Sequence, residues 1–125
     1  MIYGIGTDIA EISRLAELYQ RSGDRALEKI LAPSERDDCK KSSDPARFLA
    51  KRFAAKEALG KAFGTGIREP LLLPEIAVDH DDQGKPFFVL GDAPAKAFRK
   101  LKLTAHLSLS DEREFAIAFV VLEQS

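Results

Sequence analysis

The stretch PARFLAKRFAAKEALGKAF, from Pro45 to Phe63, decides how the rest of the chain is organised. It opens with a proline near the first helical position and is followed by the glycine-containing segment Gly64-Thr65-Gly66, which are the usual signs of a helix start and stop. At about 100° per residue, its large apolar side chains fall on one continuous arc of a helix. The sequence therefore predicts a long central helix whose apolar arc faces the core. The members of this arc are Phe48, Leu49, Phe53, Leu59 and Phe63.

Four charged side chains, Arg52, Lys56, Glu57 and Lys61, lie within or beside this arc. One interpretation is structural: the long cationic side chains cover apolar surface while their ends reach water, and Glu57 pairs with Lys61 one turn away. The alternative is that the three cations hold an anionic ligand while Glu57 holds a metal ion, because cations bind phosphate oxygens and carboxylates bind Mg²⁺. The helix alone favours the first interpretation, since charge pairs on helices are usually structural.

Shorter helices and strands are predicted around this helix. Residues 2–9 are apolar and punctuated by glycine, which favours a strand. Helices are predicted over residues 11–22 and 25–31, from Pro33 onward, and over 93–102, and strands over 75–79, 86–90, 104–110 and 114–122. This order predicts one α+β domain over residues 1–125, with an N-terminal strand, several helices and antiparallel strands.

The composition narrows the classes of function. Nineteen Lys and Arg against twenty Asp and Glu give a net charge of -1, which disfavours a basic nucleic-acid-binding protein. Cys39 is the only cysteine, so an internal disulfide and a thiolate zinc cluster are both excluded. No apolar run approaches the roughly 20 residues of a membrane span, and the first residues do not form a signal peptide. We therefore expect a cytoplasmic protein without nucleic-acid or membrane partners.

Asp8 follows Gly4-Ile5-Gly6-Thr7 near the end of the predicted first strand. A carboxylate there is costly unless it is paired, caps a helix or binds a metal. As a single residue, it is most simply explained as a cap of the following helix.

The sequence allows two interpretations for each of two sets of residues on the predicted strands. Thr104, His106, Ser108 and Ser110 alternate with apolar residues and form either a polar pocket wall or, as the spacing favours, a solvent-facing surface. Phe115, Ile117, Phe119 and Val121 share one face, which is buried either in the chain's own core or in a partner subunit.

A basic stripe is predicted near the N-terminus. Arg14, Arg21 and Arg25 would share one side of a continuing helix. Most such stripes are simply solvated. The alternative is a docking site for an acidic partner, where the charges would mainly raise the association rate.

Two strings, taken together, resemble those of a known family. They are Gly6-Thr7-Asp8-Ile9 and, about fifty residues later, Arg52-Phe53-Ala54-Ala55-Lys56-Glu57-Ala58-x-x-Lys61. In this order and spacing they resemble the 4'-phosphopantetheinyl transferases, and the whole chain is similar to the short bacterial-type holo-acyl-carrier-protein synthases. Residues 47–52, 63–67 and 106–111 support the resemblance.

The resemblance implies an activity and a fold. It implies a 4'-phosphopantetheinyl transferase-like fold and the Mg²⁺-dependent transfer of 4'-phosphopantetheine from coenzyme A to a serine of apo acyl carrier protein, in fatty acid biosynthesis. The released product would be adenosine 3',5'-bisphosphate. Such enzymes are typically trimers with the active site between subunits, so that Asp8 and the long helix need not meet within one chain.

The resemblance also implies roles for individual residues. Asp8 and Glu57 would be metal ligands, and together with Lys61 they would form the catalytic set. Coenzyme A contacts are implied for Arg52, Lys56, Lys61, Gly64 and His106, and Arg14, Arg21 and Arg25 would receive the acidic carrier protein. The competing hypothesis, a non-catalytic module that binds a phosphorylated nucleotide and an acidic partner, has no need of Asp8 together with Glu57.

Overall fold

The computed structural model describes residues 1–125 and places the long helix at the centre of the fold. Ten regular elements follow one another in the order β1 (Ile2–Glu11), α1 (Ile12–Ser22), α2 (Asp24–Ile30), α3 (Pro33–Lys41), α4 (Pro45–Phe63), β2 (Ile76–His80), β3 (Pro86–Leu90), α5 (Asp92–Leu101), β4 (Leu103–Asp111) and β5 (Phe115–Gln124). A short 3₁₀ turn, Leu73–Glu75, precedes β2. The mixture of helices with antiparallel strands confirms the predicted α+β class. None of the helices combines the length and the apolar character needed to cross a membrane.

The strands form two separate sheets. One is three-stranded, in the order β1-β5-β4, and the other is the β2–β3 hairpin. All pairs are antiparallel, and in the larger sheet Gly6 of β1 pairs with Val120 of β5, which pairs with Leu107 of β4. Because side chains alternate along a strand, this register sets one buried face and one outer face for the whole sheet.

The buried face of the larger sheet packs on α4 at unusually short range. A Cβ atom built on Gly6 would overlap the carbonyl oxygen of Ala58 and lie 2.7 Å from the nitrogen of Ala62. A Cβ atom on Gly4 would likewise overlap the carbonyl oxygen of Ala62. The backbones of β1 and α4 are therefore in direct contact, which only glycine permits at these two positions.

The outer face of the same sheet is apolar and exposed in the single chain. It contains four exposed large hydrophobic side chains, Ile5, Ile9, Ile117 and Phe119, next to the exposed Thr104, His106, Ser108 and Ser110. The Ile117 side of β5 is thus not buried in the chain's own core. Burial of this face in a partner subunit is the alternative that stays as a prediction.

Candidate active site

Asp8 lies in the interior of β1, on the face that packs against α4. The strand continues to Glu11 and α1 begins at Ile12, so Asp8 is not the cap of that helix. Its side chain is only 17% exposed, and its Oδ1 atom accepts a 3.1 Å hydrogen bond from the Lys61 ammonium. This largely buried carboxylate is therefore paired, which offsets the cost of its partial burial.

Lys61 joins β1 to α4 within one chain. Besides Asp8, its Nζ atom donates a 2.9 Å hydrogen bond to the carbonyl oxygen of Thr7. The expectation that Asp8 and the long helix need not meet within one chain is therefore corrected. They meet because the glycines of β1 allow the strand to lie directly against α4.

Glu57 stands next to this pair on α4. Partial burial raises the pKa of Glu57, and the negative charge of Asp8 raises it further, while Lys61 partly offsets both effects. The two carboxylates are thus close enough to repel each other, with one ammonium beside them. A hard divalent cation between them would remove that repulsion, and carboxylate oxygens are the ligands that Mg²⁺ uses in proteins.

The donor set fits Mg²⁺ better than a metal that needs a full protein cage. No cluster of three or more His, Cys, Asp or Glu side chains is present. Mg²⁺ is commonly held by one or two carboxylates and completed by substrate phosphates and water. Asp8 and Glu57 would leave those remaining positions to a phosphorylated substrate.

The structure contradicts the prediction that Lys56 binds a ligand. Lys56 is fully buried, and its ammonium donates hydrogen bonds to the Glu35 carboxylate (2.7 Å) and to the carbonyl oxygens of Ile30 (2.7 Å) and Leu73 (3.2 Å). Burial lowers the pKa of Lys56 to about 8, although the charge of Glu35 opposes the shift. With three donors already used, Lys56 can neither hold a phosphate nor reach water.

Arg52 is mainly an internal residue as well. Its side chain is 10% exposed, and Nη1 donates to the Glu35 carboxylate at 3.1 Å and to the carbonyl oxygen of Val78. The guanidinium lies 4.4 Å from the ring centre of Phe48. One edge lines a surface cavity together with Arg47 and His80. A coenzyme A contact from Arg52 stays a prediction, restricted to that edge.

Glu35 was not predicted as a special residue. It is the third residue of α3, where a glutamate after a proline is an ordinary helix-start signal. The only available sign was indirect: two cations, Arg52 and Lys56, lie four residues apart within an apolar arc, and buried charges need a partner. Nothing in the sequence identifies Glu35 as that partner.

Gly64 and His106 occupy very different places relative to Asp8. Gly64 is exposed, has the left-handed φ of 102°, and follows the last helical turn that carries Lys61, so its backbone is accessible at the same end of α4. His106 lies on the outer face of the sheet, where its Nε2 atom is 2.6 Å from the Glu123 carboxylate. Asp8 and His106 thus lie on opposite faces of the sheet, and one chain does not bring them together.

The basic residues near the N-terminus do not form one continuous stripe. Arg14 and Arg21 line a groove of about 320 Å³ between β1, α1 and α4, which also includes Phe53, one turn before Glu57. Gly23, with a φ of 54°, separates α1 from α2, and Arg25 does not line this groove. The structure therefore associates two of the three predicted arginines with a surface near Glu57.

Comparisons with known proteins point to one family. Residues 4–120 match the family described as the 4'-phosphopantetheinyl transferase superfamily. A holo-[acyl-carrier-protein] synthase from Dechloromonas aromatica is 54% identical over 125 residues, which is 100% of both chains.

Solved structures agree with the sequence comparison. The crystal structure of a holo-[acyl-carrier-protein] synthase from Neisseria meningitidis has a TM-score of 0.95 and 43% identity, covering 99% of this chain and 100% of that one. A holo-(acyl-carrier-protein) synthase from Bacillus anthracis, solved in complex with CoA (3',5'-ADP), has a TM-score of 0.84 and 42% identity, covering 100% and 99% of the two chains.

Proposed function

Because this chain belongs to the 4'-phosphopantetheinyl transferase superfamily and is a holo-[acyl-carrier-protein] synthase, we propose that it transfers 4'-phosphopantetheine from coenzyme A to a serine of apo acyl carrier protein in fatty acid biosynthesis. The reaction would require Mg²⁺ and release adenosine 3',5'-bisphosphate. The observation that carries this proposal is the meeting of Asp8, Glu57 and Lys61 at the contact of β1 with α4. The related protein from Bacillus anthracis, crystallised with CoA (3',5'-ADP), supports the choice of substrate.

The chemistry is a phosphoryl transfer between two oxygens. The serine oxygen forms a bond to the β-phosphorus of coenzyme A, and the bond from that phosphorus to the bridging oxygen breaks, so that this oxygen leaves with adenosine 3',5'-bisphosphate. In such reactions, positioning and neutralisation of charge do most of the catalysis. Mg²⁺ held by Asp8 and Glu57 would supply positive charge against the phosphate oxygens.

Lys61 would bind and orient the substrate's phosphate. Its ammonium is exposed on one side while it donates to Asp8 and to the backbone of β1, so its position is fixed before the substrate arrives. The serine proton also needs an acceptor. That acceptor would be Glu57, a water molecule or a neighbouring residue.

A pure binding module is a weaker explanation of the same residues. A site that only holds an anion gains nothing from two carboxylates that raise each other's energy. The proximity of Asp8 to Glu57 therefore favours the transferase over the binding module.

The proposal includes a homotrimer with active sites between subunits. Asp8 and His106 lie on opposite faces of one sheet, so they can serve one coenzyme A molecule only if another subunit supplies His106. The exposed apolar face around Ile117 and Phe119 is a suitable surface for such a subunit, since exposed apolar patches commonly mark interfaces.

The carrier protein would bind beside the groove that contains Arg14 and Arg21. Neither arginine forms an ion pair within the chain, so both charges are free for acidic groups of the carrier. The groove lies on the same side of α4 as Glu57, which would bring the carrier serine near the carboxylates. We also propose a cytoplasmic location, with neither membranes nor nucleic acid as partners.

The decisive experiment is to measure the mass of the carrier protein after the reaction. The protein is incubated with coenzyme A, Mg²⁺ and apo acyl carrier protein, and the carrier is measured by intact mass spectrometry with and without EDTA. We expect the carrier to gain one phosphopantetheine group, and the gain to disappear with EDTA, in Asp8→Ala and in Glu57→Ala. Binding of coenzyme A without any transfer to several carriers would instead support the binding module.

A further inference from the structure

Glu35 is the centre of a buried polar network that the proposed reaction does not use directly. Its carboxylate is 2% exposed and accepts four hydrogen bonds. Oε1 accepts from the backbone nitrogen of Ala32 at 2.9 Å and from Lys56 at 2.7 Å. Oε2 accepts from Arg52 at 3.1 Å and from the backbone nitrogen of Val78 at 2.9 Å. Both oxygens are fully used, which is what a buried carboxylate requires.

The network connects α4 to four other segments. Through Lys56, α4 is bonded to the carbonyl oxygen of Ile30 at the end of α2 and to that of Leu73 before β2. Through Glu35, the same helix is bonded to the start of α3 and to β2. Glu35, Lys56 and Arg52 together thus bond one side of α4 to α2, α3, β2 and the turn before β2.

The opposite side of α4 is fixed by the glycines of β1. At about 100° per residue, Ala58 lies about 200° around the helix from Lys56. Ala58 is the residue whose carbonyl oxygen a side chain on Gly6 would overlap. Two rigid contacts on nearly opposite sides, within one turn, determine the rotation of α4 about its axis.

Glu57 and Lys61 lie between these two contacts. Relative to Lys56 they fall at about 100° and about 140° around the helix, so their direction follows directly from the rotation of α4. With side-chain ends about 6 Å from the axis, a rotation of about 20° would move them by about 2 Å. A displacement of about 1 Å can already cost about 100-fold in rate.

We propose that Glu35, acting through Lys56 and Arg52, is a positioning residue that sets the rotation of α4 and thereby aims Glu57 and Lys61 at Asp8. This inference rests on the proposed function. It assigns Lys56 a role that differs from the phosphate contact expected from the sequence. It also explains why two cations lie in an apolar arc.

Two variants separate the effect of the buried charge from the effect of the hydrogen-bond geometry around Glu35. Glu35→Asp keeps the buried charge but is one methylene too short to bond Lys56, Arg52 and Val78 together. Glu35→Gln with Lys56→Met removes one negative and one positive charge, so the buried charge balance is retained. Lys40→Met is the matched control, since Lys40 is an exposed α3 residue whose only ion pair is to Asp24.

The midpoint of thermal unfolding is determined first for each variant. Two measurements are then made at a temperature well below that midpoint. The first is kcat and KM for transfer to the carrier. The second is Mg²⁺ binding by titration calorimetry, which does not depend on transfer. We expect kcat to fall at least about tenfold and Mg²⁺ binding to weaken in both Glu35 variants, with KM for the carrier within about twofold. Lys40→Met should match the wild type in both measurements.

The outcomes separate the two proposals. Folded variants with wild-type kcat and wild-type Mg²⁺ affinity would overturn the positioning role, and so would failure of both variants to fold at the assay temperature, which would make the network purely structural. A wild-type protein that binds Mg²⁺ but transfers nothing would reject the proposed function, while weaker Mg²⁺ binding in the variants would still support the positioning role.

Discussion

Replacing Gly6 by alanine tests the contact that brings the candidate catalytic residues together. The new Cβ atom would overlap the carbonyl oxygen of Ala58 and lie 2.7 Å from the nitrogen of Ala62, where about 3.5 Å is comfortable. Both obstructing atoms belong to the backbone, so no side chain can rotate away. The strand must instead move away from α4 by about 1 Å.

The expected cost follows from that displacement. Overpacking of a core costs about 1–3 kcal/mol and occasionally more, and a contact between two backbones belongs at the upper end. We therefore expect the free energy of unfolding of Gly6→Ala to fall by about 3 kcal/mol. Asp8, two residues further along the same face, would move with the strand, and its 3.1 Å hydrogen bond from Lys61 would lengthen to about 4 Å and be lost. Transfer should slow by about 100-fold.

Urea unfolding and the transfer assay measure these two effects at one protein concentration. The matched control is Gly91→Ala, because Gly91 has a φ of -70°. The atom nearest to a Cβ built on Gly91 is the carbonyl oxygen of Glu75, at 3.3 Å. That variant should lose less than about 1 kcal/mol and keep its rate. Wild-type stability and rate in Gly6→Ala would refute the argument that backbone contact positions Asp8.

Three further predictions concern other parts of the molecule. Arg14→Glu should raise the KM for the carrier protein at least tenfold while leaving that for coenzyme A unchanged, and an equal rise in both constants would contradict the assigned docking surface. Phe119→Arg should leave the circular dichroism spectrum intact but reduce the native mass to that of one chain and abolish transfer, whereas an active single chain would exclude a shared site. Burial raises the pKa of the Cys39 thiol to about 11. Cys39 should therefore resist thiol reagents at pH 8 until the protein is unfolded. Between pH 9 and 11 the unfolded chain releases this proton before the folded one does, so the free energy of unfolding should fall with rising pH, and a Cys39→Ala variant should show a smaller fall.

The elements that could be predicted are those set by local signals. Pro45–Phe63 has the predicted bounds because a proline start and a glycine stop mark it directly. Pro86–Leu90 has them because it follows the glycine-containing turn over residues 81–84. The alternation of His106 with apolar neighbours correctly separated the two faces of β4. The other elements differ from prediction by a residue or two at their ends.

The contacts that make the site depend on distant parts of the chain. The pairing of Asp8 with Lys61 spans 53 residues and depends on how closely two glycines let β1 approach α4. Lys56 was expected at a ligand because it is one of three cations, with Arg52 and Lys61, that lie within or beside the apolar arc of α4. Its partner Glu35, 21 residues earlier, looks in the sequence like an ordinary helix-start residue. No periodicity distinguishes a buried ammonium with three acceptors from an exposed one that awaits a phosphate.

The location of Asp8 and His106 on opposite faces of one sheet has a genetic consequence. If each site takes its carboxylates from one subunit and its histidine from the next, Asp8→Ala and His106→Ala chains are each inactive alone but not together. In a mixed assembly, an Asp8→Ala chain supplies an intact histidine to a neighbouring His106→Ala chain, whose carboxylates are intact. That pair of chains forms one complete site. Coexpression of the two variants would then restore a transfer activity that neither variant shows by itself.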